Sequence, residues 1–388
     1  MRKIALALSC VVILGAGAFF WFIPHEVDRR YNHLGAGIDE SPPASVPEWH
    51  HELRIVDLHA DTLLWDRDLL VRARRGHVDL PRLQEGPVTL QVFSIVTKSP
   101  RGLNYTANAA DAADDITLLA LAQRWPPSTW GSLTERALYQ IRRLQQAERD
   151  SRGALRLIRS RHDLRVFLED RRQNPRLVAA LLAIEGAHAL EGDLSRLDTL
   201  AAEGVRVVAP AHLFDSEWSG SQQGVAKGGL TEKGRQWVGA MNEKKLIIDL
   251  AHVSSPAINE ILALSSRPSM VSHTGVKAVC DNNRNLSDAQ LKAVAERGGL
   301  IGIGFWEEVV CGRDLDSVAR SLRHAVDVAG IDHVALGSDW DGFVSTPIDA
   351  ARLGWLTAKL VQLGWTSSEI RQVMGENALR FFQDNLPD

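Results

Sequence analysis

Six short apolar runs in this 388-residue chain each close on a side chain that can bind a metal or move a proton. RIVDLHAD carries His59 and Asp61, and ALLAIEG carries Glu185. VRVVAPAH ends at His212, LIIDLAH at His252 and MVSH at His273, while VALGSDWD carries Asp339 and Asp341. Packing alone gives no reason for a hydrophobic strand to end in His, Asp or Glu six times over. A parallel α/β barrel does: all its strands point one way, so their C-terminal ends meet on one face and the loops there build the active site. Eight apolar stretches can be counted, at 53–58, 88–96, 178–184, 205–211, 246–251, 269–272, 299–305 and 333–338. Most are continuous rather than alternating, the pattern of parallel strands buried on both faces. Helical stretches at 194–203, 231–243, 256–264, 287–296, 316–329 and 348–363 separate the later strands, and 367–382 reads as a terminal helix. Repeating strand–helix units predict an α/β fold, a (β/α)8 TIM-like barrel of the metal-dependent hydrolase type.

At about 250 residues plus insertions, one such barrel uses most of the chain. Two segments depart from the regular unit. Residues 103–172 form a long, mostly helical excursion between the second and third strands, and residues 213–230 form a Gly/Ser-rich loop after His212. That loop is either a mobile lid over the barrel face or an ordinary surface turn. The net charge of −4 and pI near 6.4 come with no dense basic patch, which argues against a nucleic-acid partner. The Arg-rich stretch 152–172 places its charges at helical spacing, as a solvated helix face does.

At the N-terminus, Arg2 and Lys3 precede an apolar run from Ile4 to Ile23. Twenty helical residues cover about 30 Å, enough to span a bilayer. Ala16-Gly17-Ala18 offers a signal-cleavage site, but cleavage there would leave Phe19-Phe20-Trp21-Phe22 at a new terminus, which favours an uncleaved anchor. The expected division is a signal or membrane anchor over 1–27, a stalk or lead-in over 28–50 containing Pro42, Pro43 and Pro47, and the barrel over 51–388. In either case the body of the chain is exported. The expected location is a bacterial inner membrane facing the periplasm, or the periplasm itself if the signal is removed. Outside the apolar run the chain has two cysteines, Cys280 and Cys311, readable as one disulfide or as two buried thiols.

Imidazoles and carboxylates without thiolates suit a hydrolytic metal site, with zinc the expected ion. His59 and Asp61 lie at i and i+2, so an extended backbone projects both from one face. His252 and His273 lie one strand–helix–strand step apart and, with Glu185, make a second site. Glu185 can bridge two metals, and no Lys ends a strand to take that role. Two such ions would activate a water and polarise a carbonyl. His212 is either a ligand or a hydrogen-bond partner of the reaction's oxyanion. Asp339 is the candidate for proton transfer, with Asp341 supporting it. Arg284, in the DNNRN stretch, can bind a substrate carboxylate bidentately.

The segments DLHAD, AIEGAH, DLAHVS, VSHTG, NNRN and GSDWDG run in order from Val56 to Gly342 and together resemble the membrane dipeptidase (renal dipeptidase) family of zinc peptidases. The resemblance covers about residues 50–385. It implies a metal-dependent (β/α)8 barrel holding two Zn2+ that cleaves dipeptides, including those with a C-terminal D-residue; some members open β-lactams. It also implies His59 and Asp61 on one zinc, His252 and His273 on the other, and Glu185 bridging them. His212 would then meet the substrate, Arg284 its carboxylate, and Asp339 would act as acid and base. Cys280 and Cys311 fall where the animal enzymes carry a disulfide, and members often form homodimers. Three departures stand out. Leu213 and Phe214 follow His212 where the animal enzymes have another cysteine, Trp340 stands where Phe is usual, and the chain ends in a polar NLPD, so an anchor here would be N-terminal. The expectation is therefore a dinuclear zinc dipeptidase. The competing readings are a same-fold amidohydrolase acting on N-acyl amino acids or lactams, and a catalytically silent binding protein.

Overall fold

A computed structural model describes Gly15, residues 17–35 and residues 42–388. Its strands are β1 (His33–Leu34), β2 (Ile55–Ala60), β3 (Val88–Val96), β4 (Leu155–Leu157), β5 (Val178–Glu185), β6 (Val205–Val208), β7 (Ile247–Ile248), β8 (Met270–Thr274), β9 (Leu300–Ile303), β10 (Val334–Leu336) and β11 (Ser345–Thr346). Eight of them form a parallel sheet in the order β7-β6-β5-β3-β2-β10-β9-β8. The two ends of that order meet: Asp249 bridges Met270 in parallel, and the Leu250 N–H donates to the Met270 carbonyl at 2.7 Å. The sheet thus curls into the expected TIM-like barrel, and each expected strand is present.

Alternate residues of one strand fall into different apolar clusters. Leu90, Val92, Leu181 and Ala183 join Phe381 and Phe382 of the last helix, Asn377–Asn385. Phe93, Ile95, Leu182 and Ile184 pack instead with helix residues such as Ile141 and Leu200. Both faces of each strand are therefore buried, which is why the strands read as unbroken hydrophobic runs.

The helices start where their caps direct. Ser287 and Gln290 form a reciprocal capping box for Asp288–Glu296, and the Thr231 side chain accepts from the Gly234 N–H. Two expectations are corrected. The stretch 348–363 begins its α-helix only at Leu353, after a 3-10 turn over Ala350–Arg352. The stretch 367–382 is interrupted by a π-turn at Gln372–Glu376, where Gly375 lies so close to the Arg54 carbonyl that a side chain would collide with it. The 103–172 excursion is mostly helical, with an 18-residue helix at Leu133–Asp150, but it also contributes β4 beside the first half of β5.

Among the described residues no helix is long and apolar enough to cross a membrane. Most of the anchor expected over 1–27 lies outside the described residues. Ile23–Tyr31 is helical, and β1 pairs with β11, so the chain at 23–35 lies against the barrel.

Candidate metal centre

The ends of the strands deliver the predicted cluster. Glu185 is the last residue of β5, His59 and His273 lie near the ends of β2 and β8, and Asp61 directly follows β2. His212, His252 and Asp339 follow β6, β7 and β10 in short loops. All seven side chains are buried. His252 and Asp339 also adopt left-handed backbone angles, at φ 64° and 61°. Non-glycine residues adopt these only at a cost of about 1–3 kcal/mol that the surroundings must offset. Gly186, with φ at 100°, makes the turn after Glu185, where any larger residue would strike the His188 ring.

Glu185 sits at the middle. Its Oε1 lies 3.0 Å from His252 Nε2, 3.3 Å from His273 Nε2 and 3.7 Å from His59 Nε2, and its Oε2 lies 3.2 Å from His212 Nε2. His59 Nε2 is 3.4 Å from Asp61 Oδ1 and 3.7 Å from Asp339 Oδ1. Three groups of buried side chains bring ligand atoms close enough to hold an ion: His59 with Asp61 and Glu185, Glu185 with His212 and His252, and His59 with His273 and Asp339.

The imidazoles are oriented from behind. Gln223 Oε1 sits 2.7 Å from His252 Nδ1, and Ser272 Oγ sits 2.8 Å from His273 Nδ1. With each Nδ1–H donating outward, both Nε2 lone pairs face inward, only 3.0 Å apart. Two lone pairs this close repel unless a cation lies against them. Both ring nitrogens of His59 and one oxygen of Asp61 also lack a hydrogen-bond partner although buried. Buried polar atoms are rarely left so. The residues present therefore fit a metal centre.

The electrostatics agree. Burial holds His212, His252 and His273 well below the usual imidazole range, so all three stay neutral, the form that ligates metals. Burial also disfavours charge on His59, but Glu185, Asp61 and Asp339 outweigh it and raise its pKa to about 10. Burial pushes Glu185 well up, and lifts Asp339 to about 8 against the attraction of His59 and Arg284. Three carboxylates in a dry pocket demand positive charge, and the site is built to receive it.

Further residues support the cluster. Asp57 is buried, accepts from the Ser338 N–H at 2.7 Å and from Gln91 Nε2 at 2.6 Å, and so ties β2 to β3 and to the loop after β10. The loop 213–230 is packed against the barrel over Trp218–Gly224 and lies at the surface near Val225–Gly229. Trp218, Ser221 and Gln223 are buried, and Ser221 Oγ donates to the His212 carbonyl, so this part of the loop is packed against the candidate ligands it helps to orient. Tyr105, from the 103–172 excursion, lines the cavity and accepts from Trp306 Nε1 at 3.0 Å. Asp341 supports the turn after Asp339, accepting from Thr62 Oγ1 at 2.8 Å and from the His77 N–H at 2.8 Å.

Arg284 is buried beside this cavity of about 480 Å3, donates to the His273 carbonyl at 2.7 Å, and leaves its Nε without a partner. Cys280 and Cys311 form a disulfide across 5.3 Å between Cα atoms. Asn285 donates to the carbonyls of both Cys280 and Val309, so the disulfide and Asn285 together clamp the loop that carries Arg284.

With this geometry in view, the family model for membrane dipeptidases, peptidase family M19, matches residues 44–386. The chain belongs to this family. Among solved structures, a dipeptidase AC of family M19 is 27% identical at a TM-score of 0.71, covering 87% of this chain and 99% of that one. A metallopeptidase from Rhodobacter sphaeroides, solved with a phosphinate mimic of the dipeptide L-Ala-D-Ala, is 25% identical at 0.70, covering 86% and 99%. A probable dipeptidase from Pseudomonas aeruginosa, 20% identical at 0.73 over 87% and 97%, shares the fold. As a member of the membrane dipeptidase family, the protein is a metal-dependent peptidase, and its buried acid–imidazole cluster is the candidate metal site.

Proposed function

We propose that the protein is a dinuclear zinc dipeptidase that accepts a D-residue at the C-terminal position, exported and held at the membrane by its N-terminal segment. The observation that carries the zinc reading is the pair of imidazole Nε2 atoms 3.0 Å apart, each oriented from behind and both facing Glu185. Three His (His59, His252 and His273) and two carboxylates (Asp61 and Glu185) without thiolate match zinc's preferences, and Glu185 would be shared by the two ions. His59 and Asp61 would hold one ion, His252 and His273 the other. When bound, the metal pair supplies an activated water and a Lewis acid for the scissile carbonyl.

The chain's own residues do the rest. Arg284 offers a buried guanidinium to the substrate's terminal carboxylate, strong recognition because the water competing for it is gone. His212, neutral and beside Glu185, is placed to hydrogen-bond the substrate. Asp339, whose proton burial favours, can deliver that proton to the leaving nitrogen. The Rhodobacter relative's dipeptide mimic supports the substrate class.

The deciding experiment is hydrolysis of L-Ala-D-Ala by the full chain, with metal analysis, before and after a chelator and with zinc added back. Zinc-restored cleavage with two ions per chain, both lost in His252→Ala, is the expected result. Cleavage with one ion per chain would remove the dinuclear reading, and bound zinc without cleavage of any dipeptide would remove the substrate.

A further inference from the structure

The cavity over the metal-binding cluster is walled in part by residues that precede the barrel altogether. Arg30, Tyr31, His33 and Gly35 line it. They lie before residue 44, where the family match begins, so nothing in the shared family core supplies this wall.

The segment is fastened at several points. Asp28 is buried and forms ion pairs with Arg67 at 3.2 Å and Arg75 at 2.6 Å. Arg67 in turn reaches Asp341 at 2.9 Å. Asn32, also buried, accepts from the Phe343 N–H at 3.0 Å, and its carbonyl accepts from the Gly76 N–H at 3.2 Å. β1 pairs with β11, and the Gly35 N–H continues the ladder to the Thr346 carbonyl at 3.1 Å. Val27 and Phe343 both pack on the apolar cluster around Trp65. A segment merely leading to an anchor would not bury an aspartate, because a buried charge is tolerated only when paired. These contacts converge on the turn after Asp339, where Asp341 and Phe343 are held at φ 66° and 60°.

We propose that Pro24–Gly35 is a fixed rim of the catalytic cavity, and that Arg30, Tyr31 and His33 restrict by size what reaches the metal centre, disfavouring peptides longer than two residues. The proposal rests on the dipeptidase reading above. Its physical basis is the cavity's modest size, towards the lower end of the roughly 300–1,000 Å3 of small-molecule sites, with these three side chains on its wall. Arg30 and His33 extend from a segment anchored through Asp28, Asn32 and the backbone of β1. Tyr31 also packs on Phe343, with ring centroids 5.7 Å apart, but those anchors remain when the three side chains are truncated, so the mouth widens while the segment stays docked.

The test uses the full chain, the triple variant Arg30→Ala/Tyr31→Ala/His33→Ala, and Asn32→Ala, which loosens the segment from Phe343. Two readouts are taken: the ratio of kcat/KM for L-Ala-L-Ala-L-Ala over L-Ala-D-Ala, and the rate at which a chromogenic chelator strips the metal. The expected result is a ratio raised by roughly tenfold in the triple variant, the scale of a pocket widened by lost side-chain contacts. Stripping should be several-fold faster in both variants at an unchanged melting temperature. An unchanged ratio and an unchanged stripping rate would overturn the rim, and faster stripping at an unchanged ratio would overturn the length restriction. If the unaltered, metal-loaded chain cleaves no dipeptide, the dipeptidase reading fails by itself. The stripping rate then decides alone whether the segment walls the cavity.

Discussion

At the scale of single residues, the candidate metal-binding imidazoles depend on partners that hold them from behind. Gln223 holds His252 by its Nδ1, and Ser272 holds His273 in the same way. Replacing such a partner costs roughly 10- to 100-fold in metal affinity or activity, because the ring loses its tautomer and its aim. Gln223→Leu should therefore lower zinc affinity by that factor while the circular dichroism spectrum stays unchanged. A Gln223→Leu protein with native zinc affinity would show that the loop merely fills space. The candidate ligands stand out in the sequence because each closes a hydrophobic strand, where a charge or an imidazole is out of place, and the structure brings them together. Gln223, Ser272 and Tyr105 could not, since polar residues in loops are ordinary. Asp57 carried a signal that went unread: it lies two positions before His59 in an otherwise apolar strand, and it is buried with its pKa raised to about 6 by that burial.

At the scale of elements, two links between loops and helices carry measurable stability. The disulfide closes a span of 31 residues, for which loop-closure entropy gives about 3–4 kcal/mol. Cys280→Ser/Cys311→Ser should lower stability by that order in urea titrations. It should also raise KM more than it lowers kcat, because the freed loop carries Arg284. Equal KM values would show that Asn285 alone holds that loop. The second link is His50, in the 3-10 turn Glu48–Glu52, whose Nδ1 meets Thr357 Oγ1 of the helix Leu353–Gln362 at 3.0 Å. Burial, with help from the charge of His51, lowers its pKa from 6.5 to about 4. The unfolded chain therefore binds the proton first as the pH drops. The neutral ring's contribution is complete above about pH 6.5, is lost as pH falls towards 4, and amounts to at most about 3 kcal/mol. His50→Gln removes this group, so the stability gap between the two proteins should narrow from pH 7 to pH 4; a gap independent of pH would refute the assignment. Elements of this kind are read from sequence with difficulty. The π-turn at Gln372–Glu376 interrupts a helix because the chain at Arg54 passes against Gly375, and no local periodicity encodes a neighbour more than three hundred positions away.

At the scale of the whole molecule, the barrel was readable because parallel strands buried on both faces leave continuous apolar runs, and eight of them with intervening helices close a ring. The placement of the N-terminal segment was not readable. Its docking rests on Asp28 meeting Arg67 and on Asn32 meeting Phe343, pairs far apart in sequence and between residue types common on any surface. That docking has a consequence for the anchor proposed above. Just before the rim, Trp21 and Phe22 are 70% and 61% exposed, and Phe20 and Ile23 are exposed beside them. Four adjacent apolar side chains in water, continuous with the apolar run that begins at Ile4, form the kind of surface that a bilayer interface covers, with Trp suited to the headgroup level. The full chain should therefore float with phospholipid vesicles in a density gradient, and a chain beginning at Pro24 should remain at the bottom. The shortened chain keeps Asp28, Asn32 and the rim, so its kcat/KM should match that of the full chain. Flotation of both chains would place the membrane contact on the barrel, and flotation of neither would refute the anchor. Flotation of the full chain alone would put the mouth of the cavity within a few residues of the bilayer surface, so that a soluble dipeptide would reach the metal centre from the aqueous layer directly beside the membrane.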